Sequence, residues 1–138
     1  MYKEITDKIL AILAADATIA ASVKTFYFGQ HDIRQPKTTY PYIDCKWRGG
    51  PIDKTTSGAI ITRRQIDFFI GVIHKHFKED VAEKLVMDIA ERIETVLDSN
   101  PSLDAVVESS EVFECVSDVI TGADYSIVGA LTRLRVKK

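Results

Sequence analysis

The sequence has 138 residues, of which 46% are hydrophobic and 28% charged, and its formal net charge is −2. This length fits one hydrophobic core, and this composition excludes an intrinsically disordered chain. The balance of 18 basic against 20 acidic residues excludes a global electrostatic attraction to nucleic acid or to an anionic membrane.

The first 22 residues predict an amphipathic helix followed by a shorter helical piece. Apolar side chains such as Ile9 and Leu13 recur at helical spacing within residues 3–15. Asp16 is placed to cap a second helical segment that ends near Ser22. Acidic residues interrupt the apolar ones, and no apolar run approaches a membrane span, so we expect this helix to remain in the mature protein.

Two strands are predicted next, at residues 25–28 and 42–48, with a polar loop between them that carries two prolines. In the second strand Ile43, Cys45 and Trp47 alternate with charged residues. This period of two predicts one buried face and one face in water.

The stretch RGGPIDKTTSGAI, residues 48–60, breaks the strand pattern with glycines, a proline and small polar residues. We therefore expect no regular strand there, but a flexible arm over residues 49–59. Most strand connections need only about two to six residues, and longer ones are usually functional or disordered. An arm that becomes ordered on contact with a partner satisfies both descriptions.

A third strand is predicted within ITRRQIDFFIGVIHKH, residues 61–76, where Ile66, Phe68, Ile70 and Val72 share one face. The opposite face includes Phe69 and Ile73, and it is less polar than the outer face of the preceding strand. We expect this second face to meet another chain, because the predicted helices cannot cover both sides of the sheet.

The clearest helix is predicted over residues 79–98, with acidic residues at its start and Asn100-Pro101 after its end. Its predicted apolar stripe consists of Val81, Leu85, Ile89, Ile93, Val96 and Leu97.

Two long strands, residues 106–120 and 125–136, are predicted to form a hairpin around the turn TGAD. The order is then α-β-β-β-α-β-β. This order predicts an α+β fold, with an antiparallel or mixed sheet and with the long helix and the N-terminal helix packed on one face.

Candidate metal ligands are few. His74 and His76 are two residues apart on one strand face, and His31 is the third histidine of the chain. A zinc site needs a further ligand that the pattern does not supply, so we expect surface histidines and no metal or other cofactor.

Asp44-Cys45-Lys46 matches the D-x-K half of the PD-(D/E)-x-K nuclease pattern, in which carboxylates hold magnesium and the lysine assists catalysis. The other half is missing, since no Pro-Asp pair occurs upstream and Asp32 would have to act from a loop. The simpler interpretation is a strand face in water.

No other pattern indicates an enzyme. Cys45 and Cys115 lie in separate predicted strands among apolar neighbours, which favours two buried free thiols and a reducing compartment. No serine lies in a nucleophile-elbow pattern, and GGPIDKTTSG lacks the Gly-Lys-Ser/Thr order of a phosphate-binding loop.

Basic residues cluster around the arm and at the end of the chain. They are candidates for contact with a partner, together with the arm glycines and the aromatic side chain on the second sheet face. The candidate contact residues are Arg48, Gly49, Gly50, Lys54, Arg63, Arg64, Phe69, Arg133 and Arg135.

Four segments that together span nearly the whole chain carry a family resemblance. They are ILAILAADATIAASV, the strand entry TTYPYIDCKW, the strand ITRRQIDFFIGVI that leads into the helix EDVAEKLVMDIAERIETVL, and the final YSIVGALTRLRVKK. In these segments the chain resembles the tail terminator, or tail completion, proteins of long-tailed phages and related viruses.

The resemblance implies a structural virion protein without catalytic residues. Such a protein forms a ring, usually a hexamer, on the end of the tail tube, ends tube growth and joins the tail to the head connector. Its implied partners are its own copies, the tail tube protein and the connector or stopper protein, and DNA passes through the ring without sequence recognition. The family's loop between the second and third strands matches residues 49–59, which makes the arm a contact element.

Two alternatives stay open. The chain could be another neck protein, such as a head-completion or stopper protein, because these small assembly proteins share size and role more than motifs. The contrasting class is a magnesium-dependent nuclease with Asp44 and Lys46 at its centre.

Overall fold

The computed structural model describes residues 1–56 and 60–138, with side chains described outside residues 53–63. The elements in chain order are α1 (Tyr2–Ala15), α2 (Ala17–Ser22), β1 (Thr25–Phe28), β2 (Tyr42–Gly49), β3 (Ile52–Thr56), β4 (Ile60–His76), α3 (Glu79–Asp98), β5 (Ser109–Thr121) and β6 (Ser126–Lys137). The predicted α+β class is confirmed.

The strands form one mixed sheet in the order β1-β2-β4-β6-β5, and β3 adds to β4 as a continuation of β2. β1 and β2 are parallel, while every other pair is antiparallel. Two long hairpins therefore build most of the sheet, one from β2, β3 and β4 and the other from β5 and β6.

The core lies between the helices and one face of the sheet. Alternate residues of β4 and β6 are buried on this face, among them Phe68, Ile70 and Leu134. α1 packs on β1 and β2, and α3 packs on β4, β5 and β6. All three helices are on the same side, as the sequence predicts. Among the described residues no helix is long and apolar enough to cross a membrane.

The local signals of the helices are confirmed. The Asp16 side chain caps α2 by accepting a hydrogen bond of 3.1 Å from the Ile19 amide. α3 has the predicted bounds, but its buried stripe is rotated from the predicted one: Ala82 and Val86 are buried, whereas Val81 is 41% exposed. Small Ala82 allows the helix to approach the sheet closely.

The prediction that residues 48–60 contain no regular strand is wrong for β3, which pairs with β4 from Ile52 opposite Arg64 to Thr56 opposite Ile60. The Gly-Gly-Pro stretch forms an irregularity between β2 and β3. A Cβ at Gly50 would collide with the carbonyl oxygen of Gln65, so the close approach of the two backbones requires glycine there. Residues 57–59 of the predicted arm lie outside the described residues, and its flexibility stays a prediction.

The last hairpin begins later than predicted. Residues 106–108 precede β5, and buried Leu103 and Val107 anchor the turns between α3 and β5.

Candidate functional site

We call the side of the sheet that faces away from the helices the open face. Directly opposite residues of paired strands share a face, so the register assigns side chains of four long strands to it. Its apolar side chains are Phe69, Ile73, Val116, Ile120, Ile127 and Leu131. Val116 is 43% exposed and Ile120 is 57% exposed. The open face therefore carries more apolar side chains, including Phe69 and Ile73 of β4, than is usual for a strand face in water.

The ring of Phe69 lies between two arginine side chains on the open face. The guanidinium carbons of Arg48 and Arg133 are 5.4 Å and 5.0 Å from the ring centroid. The arginines come from β2 and β6, which flank β4 on opposite sides. Arg133 also forms an ion pair of 3.0 Å with Glu114 of β5. This row of side chains links four strands and holds Phe69 in place.

A second row crosses the open face next to the first. The Nε of Arg135 donates to the Oδ1 of Asp67 over 3.1 Å, and the guanidinium carbon lies 4.3 Å from the centroid of the Phe113 ring. This hydrogen bond to Asp67 raises the pKa of Arg135 above its ordinary value. One end of the open face therefore combines aromatic rings with fixed positive charge.

A cavity of about 920 Å³ lies between the open face and the loop that follows β1. Residues 30–34 of the loop form one wall, and Asp44, Lys46, Phe69 and Leu131 are among the sheet residues on the other. The cavity is wide and shallow, and charged groups lie at its rim.

The prediction that Asp44 faces water is wrong, since the loop covers it and leaves only 6% of its surface exposed. Its Oδ2 accepts a hydrogen bond of 3.0 Å from the His31 amide, and its Oδ1 lies against the Gly71 backbone. Burial raises the pKa of Asp44 above its ordinary value, against the opposite effect of the nearby backbone amides of His31 and Gly71. The carboxylate fastens the loop to the sheet.

This geometry bears on the nuclease pattern. Asp44 and Lys46 do face the same cavity, but the Oδ2 of Asp44 accepts from the His31 amide and the Nζ of Lys46 donates to the Oε1 of Gln30 over 3.0 Å. Asp32 forms a 3.1 Å ion pair with Arg34 in the loop. These groups serve hydrogen bonds within the chain, and the carboxylates do not converge as magnesium ligands would.

The three histidines do not converge. The rings of His74 and His76 are 5.9 Å apart, while His31 stacks on Tyr27 with ring centroids 3.7 Å apart. In the part of the chain that the structure describes, no group of three or more His, Cys, Asp or Glu side chains could hold a metal ion.

The structure brings only some of the candidate contact residues together. Arg48, Phe69, Arg133 and Arg135 meet on the open face. Arg64 lies on the helix side, where its Nη1 donates to the Tyr2 hydroxyl over 2.7 Å. Gly49 is the last residue of β2, and Gly50 lies between β2 and β3. The side chains of Lys54 and Arg63 are outside the described ones, although their backbones belong to β3 and β4.

A second exposed cluster was not predicted. The Trp47 ring stacks on Tyr2 with centroids 4.8 Å apart, yet Trp47 is 49% exposed and Ile52 is 48% exposed. The alternation of β2 predicts the correct side of the sheet for Trp47, but the helices do not extend far enough to bury it. One sequence signal is consistent with this exposure: Trp47 lies two residues before the start of the arm, near the end of β2.

The two cysteines differ from the prediction of two buried thiols. Cys45 is buried, which raises the pKa of its thiol to about 12. Cys115 is exposed on the edge strand β5. Both are free, so no disulfide constrains the fold.

No protein-family model matches the chain. No curated protein matches it in sequence either. Among solved structures, the chain is similar to a protein chain in the virion of a native gene transfer agent particle, with 15% sequence identity and a TM-score of 0.50. The similarity covers 97% of this chain and 95% of the other, so the two share a fold from end to end.

Proposed function

We propose that the chain is a structural virion protein that forms a ring on the end of a tail tube. The ring ends tube growth and joins the tail to the head connector. The observation that carries the proposal is the fold shared over 97% of this chain with a protein chain of a virion. The sequence resemblance to tail terminator proteins supports the specific position at the tail end.

The open face supports assembly with further protein. It carries Phe69, Ile73 and Leu131 on a sheet side that no helix of the described residues covers. Apolar surface of this kind is typical of interaction sites, and a sister copy or a tube subunit would remove it from water. A ring in which each copy uses one patch to bind a different patch on its neighbour closes without leaving either patch exposed.

The proposed role is mechanical. The proposed partners are other copies, six to a ring as the family resemblance implies, the tail tube protein and the connector or stopper protein. DNA would pass through the ring without base recognition, and no catalytic step or cofactor is needed. The protein would function at the junction of tail and neck, after assembly in the host cytoplasm.

The test compares particles assembled without the chain and particles complemented with it, using negative-stain electron microscopy. We expect tubes of uneven length and heads without tails when the chain is missing, and normal particles after complementation. Tails of normal length that stay detached from heads would instead indicate the head-completion or stopper role. Complete particles in the absence of the chain would contradict both roles.

A further inference from the structure

The sheet ends in two long strand edges. β5 has 13 residues and pairs only with β6 among the described strands. On the opposite side, β1 covers β2 as far as Cys45, where the Gly29 amide donates to the Cys45 carbonyl over 2.8 Å. From Lys46 to Thr56, no described strand pairs with the outer side of β2 and β3. We call these the β5 edge and the β3 edge.

Alternate residues of an antiparallel edge strand direct their backbone N–H and C=O groups away from the sheet. At the β5–β6 turn the Gly122 amide donates to the Tyr125 carbonyl over 2.7 Å. The alternation that starts at this bonded pair directs the backbone groups of Cys115, Ser117 and Val119 outward. The Val119 amide already donates to the Oδ1 of Asp118 over 2.8 Å, so at this residue only the carbonyl faces a partner strand. The β5 edge thus offers a row of hydrogen-bonding groups to another strand.

Charge distinguishes the two edges. Residues 109–121 contain three acidic residues, Glu111, Glu114 and Asp118, and no lysine, arginine or proline. Natural edges are commonly protected by lysine or proline, and neither protects this one. The β3 edge instead has Lys46, Arg48 and Lys54 against Asp53. An acidic edge repels a second acidic edge and attracts a basic one.

We propose that the β5 edge of one copy pairs with the β3 edge of the next copy, so that the sheets run continuously from copy to copy. This inference deepens the proposed function, on whose ring it rests. The pairing is antiparallel: β2, β4, β6 and β5 are related by three antiparallel steps, so β2 and β5 run in opposite directions. If neighbouring copies are related by rotation about an axis parallel to the strands, each strand keeps its direction from copy to copy. The β5 edge of one copy can then lie antiparallel to the β3 edge of the next.

The main competitor is a two-fold dimer through two β5 edges. That arrangement adds the acidic residues of one edge to those of the other, whereas the proposed pairing places Glu111 and Asp118 against an edge that carries Lys46 and Arg48. The proposed interface is also heterologous, since its two edges are different surfaces. Heterologous contacts build rings, whereas the two-fold contact stops at a dimer.

A proline substitution tests the edge. Ser117→Pro removes an outward N–H that β6 does not use, so the hairpin can keep its internal hydrogen bonds. We expect this variant to remain folded by circular dichroism and to need about tenfold more protein to assemble, as judged by light scattering. Ser117→Ala is the matched control and should assemble like the parent chain. Assembly of Ser117→Pro at the parent concentration would overturn the proposal and leave the ring itself standing.

Cross-linking gives a second test that does not depend on the proline variant. Cys115 is the midpoint of β5, and Ile52 is near the midpoint of the β3 edge on the same side of the sheet. Under mild oxidation, Ile52→Cys should form a ladder of disulfide-linked oligomers, which the double variant Ile52→Cys with Cys115→Ser should lack. The same oxidation experiment is repeated with Trp47→Cys, which tests a pairing of the two edges that is shifted along the strands.

The outcomes separate the hypotheses. A ladder in either cysteine variant supports the proposed pairing. A parent chain that oxidises to a dimer through Cys115 indicates the two-fold contact and overturns the proposal, as does the absence of a ladder in both variants. A parent chain that stays monomeric at every concentration, alone and on tail tubes, contradicts the proposed function as well.

Discussion

The carboxylate of Asp44 occupies the space into which a Cβ at position 71 would project. Asp44 and Gly71 are directly opposite each other in the β2–β4 pair. The missing side chain at position 71 makes room for the buried carboxylate, and the carboxylate in turn holds the His31 backbone over the sheet. The loop position therefore depends on a glycine in a neighbouring strand.

Gly71→Ala should destabilise the protein. The added methyl group collides with the buried Asp44 carboxylate, which cannot move away without straining its hydrogen bond from the His31 amide. Overpacking of this kind costs about 1–3 kcal/mol. Urea unfolding measures the difference in free energy of unfolding.

Gly129→Ala is the matched control for that prediction. Gly129 is in β6, next to β4, and a Cβ there would lie 3.6 Å from the Ile73 side chain and 3.7 Å from the Val72 carbonyl oxygen. Both are ordinary van der Waals contacts, so we expect a change within about 0.5 kcal/mol. Equal losses in the two variants would contradict the argument that Asp44 occupies the space at position 71.

The raised pKa of Asp44 predicts a specific dependence of stability on pH. Because the folded state raises this pKa above the ordinary value of 3.8, the folded protein holds the proton to a higher pH than the unfolded chain. This contribution to the free energy of unfolding is fully present below the unfolded pKa and falls as pH rises through the folded pKa. Asp44→Asn should remove it.

The measurement is urea unfolding of the parent and of Asp44→Asn between pH 3.5 and pH 7. The difference in stability between the two should change with pH, with the parent losing relative to the variant as pH rises. The contributions of other titratable groups to the pH dependence cancel in this difference, because both proteins contain them. One such group is His74, whose pKa is lowered by burial. A difference that is constant over this range would contradict a raised pKa for Asp44.

Features with local causes could be predicted from the sequence. The Asp16 cap and the bounds of α3 were correct, because a capping carboxylate and a helix stop act within one turn. The buried faces of β4 and β6 were predictable from a period of two, because one side packs on helices.

Features with tertiary causes could not be predicted. Asp44 has the pattern of a solvated residue, and only the return of the loop onto the sheet buries it. β3 has the composition of a loop, yet pairing with β4 makes it a strand, which shows that neighbouring strands override weak β propensity. The grouping of Arg48 and Arg133 around Phe69 depends on strand order, which the sequence does not state.

The part of the arm beyond Ile52 can be replaced by a short turn, together with the first residues of β4 that pair with it. Because Ile52 and Arg64 are directly opposite each other, replacing residues 53–63 by Asn-Gly joins them through a two-residue hairpin turn. We expect this variant to keep its circular dichroism spectrum but to lose ring formation and tail attachment, because the predicted contact element is gone. Light scattering and electron microscopy measure these two properties.

Replacement of residues 53–63 by the longer segment Gly-Ser-Asn-Gly-Ser is the control. It tests whether strain in the two-residue turn, rather than loss of the contact residues, causes the defect. It removes the same contact residues with less constraint, so it should fail in the same way. Unchanged ring formation and tail attachment in both variants would show that residues 53–63 do not form a contact element.

Phe69→Ser tests whether the open face is covered in the assembly. In the single chain this substitution removes two cation–π contacts at a partly exposed site, so we expect a loss of only about 1 kcal/mol in the free energy of unfolding. If a sister copy or tube subunit covers Phe69, association loses a buried aromatic anchor and should weaken at least about tenfold. Phe77→Ser is the control, because Phe77 is 70% exposed just beyond the far end of β4. Light scattering and tail-attachment assays in which Phe69→Ser behaves like Phe77→Ser would show that the open face stays in water.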